Sequence, residues 1–313
     1  MTGEVACHTA AASPSSLLMM SESLSVPTDV ERYRPRLFGI AYRMLSSVQD
    51  AEDIVQEAML RWHQTDRATV REPEAWLVSV VTRLAIDRLR HAVVERDTYP
   101  GPWLPEPVAD ERFDADRSAE LASDLSMAFL VLLERLAPEE RAAFLLREVF
   151  DAEYDEIART LNKSLAAARQ TVHRARERVR TDRARFVAAD DAKSRLFTRF
   201  VKALESDDQN ELLAILAPEA VWISDGGGKV AAARRVLRGS EPISRMLIKI
   251  EQKYSHPFTY RLGHMNGEPV LIMYKDGLPF GVTYCETDGE RILAMYRVLN
   301  PDKLREVGSA IRN

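Results

Sequence analysis

The chain has 313 residues, 46% hydrophobic and 29% charged, with a formal net charge of −5 at pH 7. That length supports two or three compact domains with their own cores. The acidic balance excludes a protein that coats nucleic acid indiscriminately, so DNA contact has to come from local basic patches. Cys7 and Cys285 lie far apart, six histidines are scattered, and no apolar run reaches the length of a membrane span. No metal, cofactor or membrane is therefore expected, and the thiols are expected to be free in a reducing cytoplasm.

Residues 1–28 are rich in Ser and Ala, with Glu4 the only early charge, and read as a disordered tail rather than a signal peptide. Residues 29–98 carry helical periodicity, as in Leu37, Ile40, Ala41, Met44 and Leu45. One helix begins at Asp50. Asp53, Gln56, Glu57 and Leu60 follow at spacings that share a face, either a solvated acidic face or a docking surface for basic helices of a partner. In the next helix, Pro73 to Arg90, a buried stripe is predicted from Trp76, Val80 and Leu84 with Leu77, Val81 and Leu89. Arg83, Asp87 and Arg90 share another face, with Arg88 beside them. Asp87 is spaced to pair with both Arg83 and Arg90 and turn them outward, as a surface ladder or as a reader of phosphates and base edges.

Residues 99–118 form a linker. Pro100, Pro102, Pro105 and Pro107 impose an extended path, and Trp103-Leu104-Pro105-Glu106-Pro107 reads as a docking peptide or as a locally packed segment. Helical periodicity returns over 119–185, with a helix start at Pro138-Glu139-Glu140. Tyr154 to Leu161, the break Asn162-Lys163-Ser164, and Leu165 to Arg180 make a helix-turn-helix pattern. Ile157, Ala158 and Leu161 are predicted to pack on Ala168, Val172 and Ala175. The second helix carries Arg169, Arg174, Arg176, Arg178, Arg180 and Arg183 against Glu177 and Asp182, a balance of +4 in an acidic chain. Such a patch suits phosphate contact, with Lys163, Ser164, Ala167 and Gln170 placed for base edges and His173 on the same helix.

Residues 193–313 change to an α+β pattern. It comprises helices Lys193–Glu205 and Asn210–Leu216, a strand Ala220–Ser224, a helix Ile243–Tyr254, and strands Phe258–His264, Pro269–Tyr274, Phe280–Glu286 and Arg291–Leu299. Asn266-Gly267, Asp276-Gly277 and Asp288-Gly289 punctuate them as antiparallel hairpins. Asp225-Gly226-Gly227-Gly228-Lys229 permits positive φ and close backbone approach. It lacks Walker spacing, and reads as a hairpin turn or as a contact loop for the linker or the helical modules.

"DAEDIVQEAMLRW" with "PEAWLVSVVTRLAIDRLR" resembles the second conserved region of extracytoplasmic-function sigma factors, and "YDEIARTLNKSLAAARQTVHRARERV" resembles their fourth. Thr82-Arg83 stands where relatives commonly have Arg-Asn, and Leu165 where many have proline. The resemblance implies a promoter-recognition subunit that binds core RNA polymerase at the beta-prime clamp through Asp50, Asp53, Gln56, Glu57 and Leu60. It implies -10 contact from Arg83, Asp87, Arg88 and Arg90. It further implies -35 contact from Lys163, Ser164, Ala167, Arg169, Gln170, His173, Arg174, Arg176 and Arg178. The linker would thread toward the polymerase active-site channel.

"WLPEP", Asp225 to Lys229, and Asn300-Pro301-Asp302-Lys303-Leu304 together resemble the subgroup with a fused SnoaL-like domain. There the extra domain is implied to act in cis, in place of a separate membrane anti-sigma protein. The expected fold class is therefore multidomain: two all-α helical sigma modules, the second a helix-turn-helix, and a C-terminal α+β SnoaL-like domain of the cystatin/NTF2-like kind. SnoaL-like folds also include cyclases and isomerases. On that alternative Asp225, His264, Tyr274 and Tyr284 line a pocket in the sheet, for catalysis or for an unknown small-molecule ligand.

Overall fold

The computed structural model describes residues 30–113, 125–183, 189–254 and 258–307. The expected tail and the end of the linker lie outside them, as does Cys7. Helix α1 (Arg34–Leu45) has proline in its first turn and ends at Ser46, whose φ of 56° is left-handed. Ser47 caps α2 (Val48–Gln64), its hydroxyl accepting from the Asp50 amide at 3.3 Å. Helix α3 spans Pro73–Asp97. The chain then runs extended to a 3-10 turn at Asp110–Arg112. The second helical set is α4 (Met127–Leu133), α5 (Pro138–Glu148), α6 (Tyr154–Leu161) and α7 (Leu165–Arg183). Asn162 ends α6 at φ 52°, and the Ser164 hydroxyl accepts from the Ala167 amide, so the break falls where the turn residues predict it.

The two helical modules do not keep separate cores. A single apolar cluster runs from Leu37, Val55 and Trp62 through Val81 and Leu89 to Phe129, Phe144, Leu145, Ile157 and Val172. The cause lies in α3, whose buried face includes Leu77, Val78, Val81, Ala85, Ile86 and Leu89, and which packs on α5 and α6 as well as on α1 and α2. Trp76, Val80 and Leu84 of the expected stripe are only partly buried.

The last third comprises α8 (Asp190–Glu205), α9 (Gln209–Ile215), β1 (Leu216–Asp225), β2 (Leu237–Arg238), α10 (Ser240–Tyr254), β3 (Phe258–Met265), β4 (Glu268–Lys275), β5 (Leu278–Thr287) and β6 (Ile292–Val298). The six strands are ordered β2-β1-β6-β5-β4-β3. All pairs are antiparallel except β1 with β6, which is parallel. Asn266-Gly267 and Asp276-Gly277 each place two consecutive residues at positive φ, as tight hairpins between twisted strands require. Strand alternation gives the sheet two apolar faces. One packs Trp222, Leu271 and Met295 against Phe197, Phe200, Ile243 and Leu247 of the domain's own helices. The other presents Val270, Ile272, Val282, Tyr284, Tyr296 and Val298 to Leu104 of the linker and to Met127 and Ala128 of α4. This is the expected α+β layout, with the sheet sandwiched between its own helices and the rest of the chain.

Candidate functional site

Where the extended linker crosses the sheet, the Asp225 carboxylate, 0% exposed, gathers four donors. Tyr99 Oη donates to Oδ1 at 2.6 Å and the Gly227 amide to the same atom at 3.0 Å. The Leu104 amide donates to Oδ2 at 3.0 Å and Lys303 Nζ at 2.7 Å. Lys303 also donates to the Leu104 carbonyl, and Asn300 Nδ2 to Tyr99 Oη at 2.9 Å. The Trp103 ring stacks between Arg96, 3.6 Å from its centroid, and Lys303, 4.0 Å away. Gly227 and Gly228 sit at positive φ, and a Cβ at Gly228 would meet Pro100 of the linker at 2.7 Å. The three motifs that the sequence singled out are thus in mutual contact.

Further along, the linker is bound again. The Glu106 carboxylate accepts from the Val48 amide at the start of α2, and its backbone carbonyl accepts from Tyr42 Oη at 2.7 Å. Asn266 Nδ2 donates to that same Tyr42 hydroxyl. Asn266 Oδ1 accepts from the Val108 amide at 3.0 Å and from Tyr284 Oη at 2.8 Å. One buried amide therefore joins the first helical module, the linker and the sheet. Asp110 adds bonds to the Gly267 amide and to His264 Nδ1. The buried Glu268 holds the Met127 amide at the start of α4 at 2.7 Å while paired with Lys193 of α8. Tyr99, Asn266, Glu268 and Asp110 were not among the expected interdomain residues. Asn266 had a legible turn signal, but its side-chain role had none.

Asp225, His264, Tyr274 and Tyr284, expected to line a pocket, lie on the linker side of the domain. Asp225 and Tyr284 are bound to the linker network, Tyr274 lies in the linker-side cluster away from the domain's own helices, and His264 pairs with Asp110 at the end of β3.

On α2, Asp53, Gln56 and Leu60 are exposed with Glu57 beside them, and Leu60 keeps 50% of its surface open. Asp50 stands apart, paired with Arg88 at 3.0 Å. On α3 the expected ladder is different. Among the described residues Asp87 pairs with Arg90 alone, at 2.9 Å, and Arg90 also reaches Glu139. Arg83 turns to α6, donating to the carbonyls of Arg159 at 2.8 Å and Thr160 at 2.9 Å. It thus satisfies the C-terminal carbonyls of the first helix of the helix-turn-helix. Spacing along α3 does not reveal that partner, because α6 is brought to it only by tertiary packing.

On α7, Gln170 and His173 are exposed, and Arg169 lies over the Tyr154 ring. Arg174 and Arg178 reach Glu140, Arg176 reaches Glu148, and Lys163 reaches Glu139. The acids at the start of α5, expected to serve its dipole, thus neutralise much of the basic patch. Beneath this contact Arg141, 1% exposed, donates to the Met44 carbonyl and to Glu134. Burial pushes the Glu134 carboxyl up, but Arg141 and Arg96 outweigh it and hold the group below the usual range.

Burial, opposed by Asp225, pulls the Lys303 amine from 10.5 down to about 8. With the linker docked the amine is neutral above pH 8. With the linker released and Lys303 wetted, it stays charged to about its ordinary value. Docking therefore releases a proton in that window and strengthens as pH rises from 8 toward 10.5. The Asp225 carboxylate keeps its bonds from Tyr99, Leu104 and Gly227, so neutral Lys303 does not orphan it. Fluorescence quenching between a label beside Trp103 and one on α8 should show tighter docking at about pH 9.5 than at about pH 7.5. In Lys303→Met that difference should vanish.

The family description Sigma-70 region 2 matches residues 30–93, and Sigma-70, region 4 matches residues 126–179. The extracytoplasmic-function (ECF) RNA polymerase sigma factor SigJ of Mycobacterium tuberculosis is 36% identical over 290 residues, spanning 88% of this chain and 92% of that protein. The chain belongs to the ECF sigma factors of RNA polymerase. The probable ECF sigma factor SigI of the same species is 27% identical across 91% of this chain and 97% of its own. The crystal structure of SigJ superposes with a TM-score of 0.69 at 34% identity, covering 88% of this chain and 96% of that one. The sigma factor's likeness to SigJ thus extends through the C-terminal domain. As a sigma factor it binds RNA polymerase and promoter DNA to initiate transcription, with the helix-turn-helix in region 4. Among the described residues, no helix is long and apolar enough to cross a membrane, and no group of three or more His, Cys, Asp or Glu is placed to hold a metal.

Proposed function

We propose that the C-terminal domain controls this sigma factor in cis by docking the linker. In the docked form regions 2 and 4 stay packed together, and release frees them for promoter geometry. The observation that carries this reading is the buried Asp225 carboxylate bonded to Tyr99 and Leu104 of the linker. Supporting it, the arginines of α7 are engaged by acids of α5 and Arg83 by α6, so the docked form withholds several basic groups from DNA.

In the released form, Asp53, Gln56, Glu57 and Leu60, with Asp50 once Arg88 lets go, meet the beta-prime clamp. Arg83, Asp87, Arg88 and Arg90 serve the -10 element. Lys163, Ser164, Ala167, Arg169, Gln170, His173, Arg174, Arg176 and Arg178 serve the -35 element. The test is in vitro transcription with core polymerase, comparing the full chain with one ending near Ala189. Equal promoter-specific initiation by both would sink the cis-control reading.

Recognition by α7 is checked separately. Arg169→Ala and Arg174→Ala should each weaken binding to a -35 duplex, and removing one arginine–phosphate pair should lower the salt slope by about 1. Unchanged affinity in both would remove α7 from the interface.

A further inference from the structure

Beyond regions 2 and 4, the chain carries a second concentration of positive charge, in the C-terminal domain. Residues 229–253 contain seven Lys and Arg, namely Lys229, Arg234, Arg235, Arg238, Arg245, Lys249 and Lys253, against Glu241 and Glu251. That is +5 within a chain of net −5, so the remaining residues carry −10. The acids do little to cancel it at the surface. Glu251 is buried and accepts from Tyr260 Oη, while Glu241 pairs with Arg245.

Lys229 pairs with Asp302, and the fold gathers the other six cations along one border. Arg238 lies on β2, one of the two edge strands, with Arg234 and Arg235 in the exposed loop just before it. Helix α10 starts two residues after Arg238. It buries Ile243, Ser244, Leu247, Ile248 and Glu251, which leaves the row Glu241, Arg245, Lys249 and Lys253, spaced four apart, on its open side. Arg234, Arg235, Arg238 and Lys249 make no ion pair with any described residue. The border is also continuous with the linker, since a Cβ at Gly101 would lie 3.6 Å from the Arg234 Cα. It therefore begins where the chain leaves α3, the helix with the -10 side chains.

We propose that this border is a third, sequence-independent contact for the phosphate backbone of duplex promoter DNA. The contact consists of Arg234, Arg235 and Arg238 of the β2 edge with Arg245 and Lys249 of α10. Free guanidinium groups on an acidic protein are what counterion-release binding needs, and they carry no base information. Continuity with the linker favours DNA already held by the first module over an unrelated acidic protein. The proposal stands whether or not the C-terminal domain acts in cis.

The experiment uses the full chain and a fluorescein-labelled duplex without promoter elements, followed by anisotropy from about 50 to about 200 mM salt. The triple variant Arg234→Glu/Arg235→Glu/Arg238→Glu is compared with the wild type. A control of identical net charge, Arg195→Glu/Lys202→Glu/Lys275→Glu, alters exposed cations elsewhere on the domain. Circular dichroism confirms that all three fold. The expected result is at least a tenfold loss of affinity at the lowest salt in the first triple. The slope of log K against log salt should fall by about 2 to 3, one phosphate per arginine. Lys249→Glu should give a smaller loss of the same kind, and the control should stay within twofold of wild type. Equal loss in both triples would mean that only the overall field matters and would overturn the proposal. So would unchanged DNA binding in the first triple, including the case where that variant instead loses affinity for core polymerase.

Discussion

Asp225→Ala is expected to raise promoter-specific transcription by the full chain at least tenfold without unfolding it. The substitution removes the acceptor for Tyr99 Oη, the Leu104 amide and Lys303 Nζ in one step, and leaves the Lys303 amine buried without its carboxylate. Breaking a buried ion pair by removing one partner costs roughly 3–5 kcal/mol. Because Tyr99 and Leu104 belong to the linker, most of that cost falls on the docked form. Two or three decades in the docking equilibrium follow from a penalty of that size, more than enough to move a mostly docked population to a mostly released one. Lys303→Met should change transcription far less than Asp225→Ala, since the carboxylate keeps its bonds from Tyr99 and the Leu104 and Gly227 amides. Transcription unchanged or reduced in Asp225→Ala, with the melting curve intact, would remove the carboxylate from control.

The second large effect is on stability. Asn266→Ala should lower the melting temperature by roughly 5–10 °C. It leaves Tyr42 Oη, Tyr284 Oη and the Val108 amide short of a partner in a dry interior, where each unmet group costs about 1–3 kcal/mol. It also forces a β-carbon other than that of Asn into φ 55°. Asn266→Gly separates the two causes, because glycine accepts positive φ without strain but supplies no amide. If the network dominates, glycine should be nearly as harmful as alanine. A glycine variant as stable as the wild type would assign the whole effect to backbone conformation.

The layers of the fold were legible where the signals are local. Helix periods, the Asn162 break and the Asn266-Gly267 and Asp276-Gly277 turns each depend on residues within one turn or hairpin, and the elements formed where those residues placed them. What was not legible is pairing across distance. The parallel β1–β6 pair joins segments at opposite ends of the domain's chain order, and the two-residue β2 is too short to show a period. The same limit applies to the site. Spacing pairs Arg83 with Asp87 on its own helix, whereas its partners are carbonyls of α6 that only tertiary packing brings near. On sequence alone Glu139 and Glu140 are dipole partners for α5, and in the folded chain they also meet the basic groups of α7 and the turn before it. Motif resemblance supplied what spacing does not, the association of "WLPEP" with the Asp225 loop and with Lys303.

The linker that crosses the sheet is fastened to folded structure on both sides, by α3 before it and α4 after it. Its encounter with Asp225 is therefore intramolecular, and its local concentration is set by chain geometry rather than by the amount of protein in the cell. A docking surface on a separate chain can fall behind its target when expression fluctuates, whereas here every linker is made with its docking surface in a fixed one-to-one ratio. Dilution does not release the linker and overexpression does not outrun it. A competitor for the same surface must match an effective concentration in the millimolar range typical of short tethers, or else act on the docked form directly.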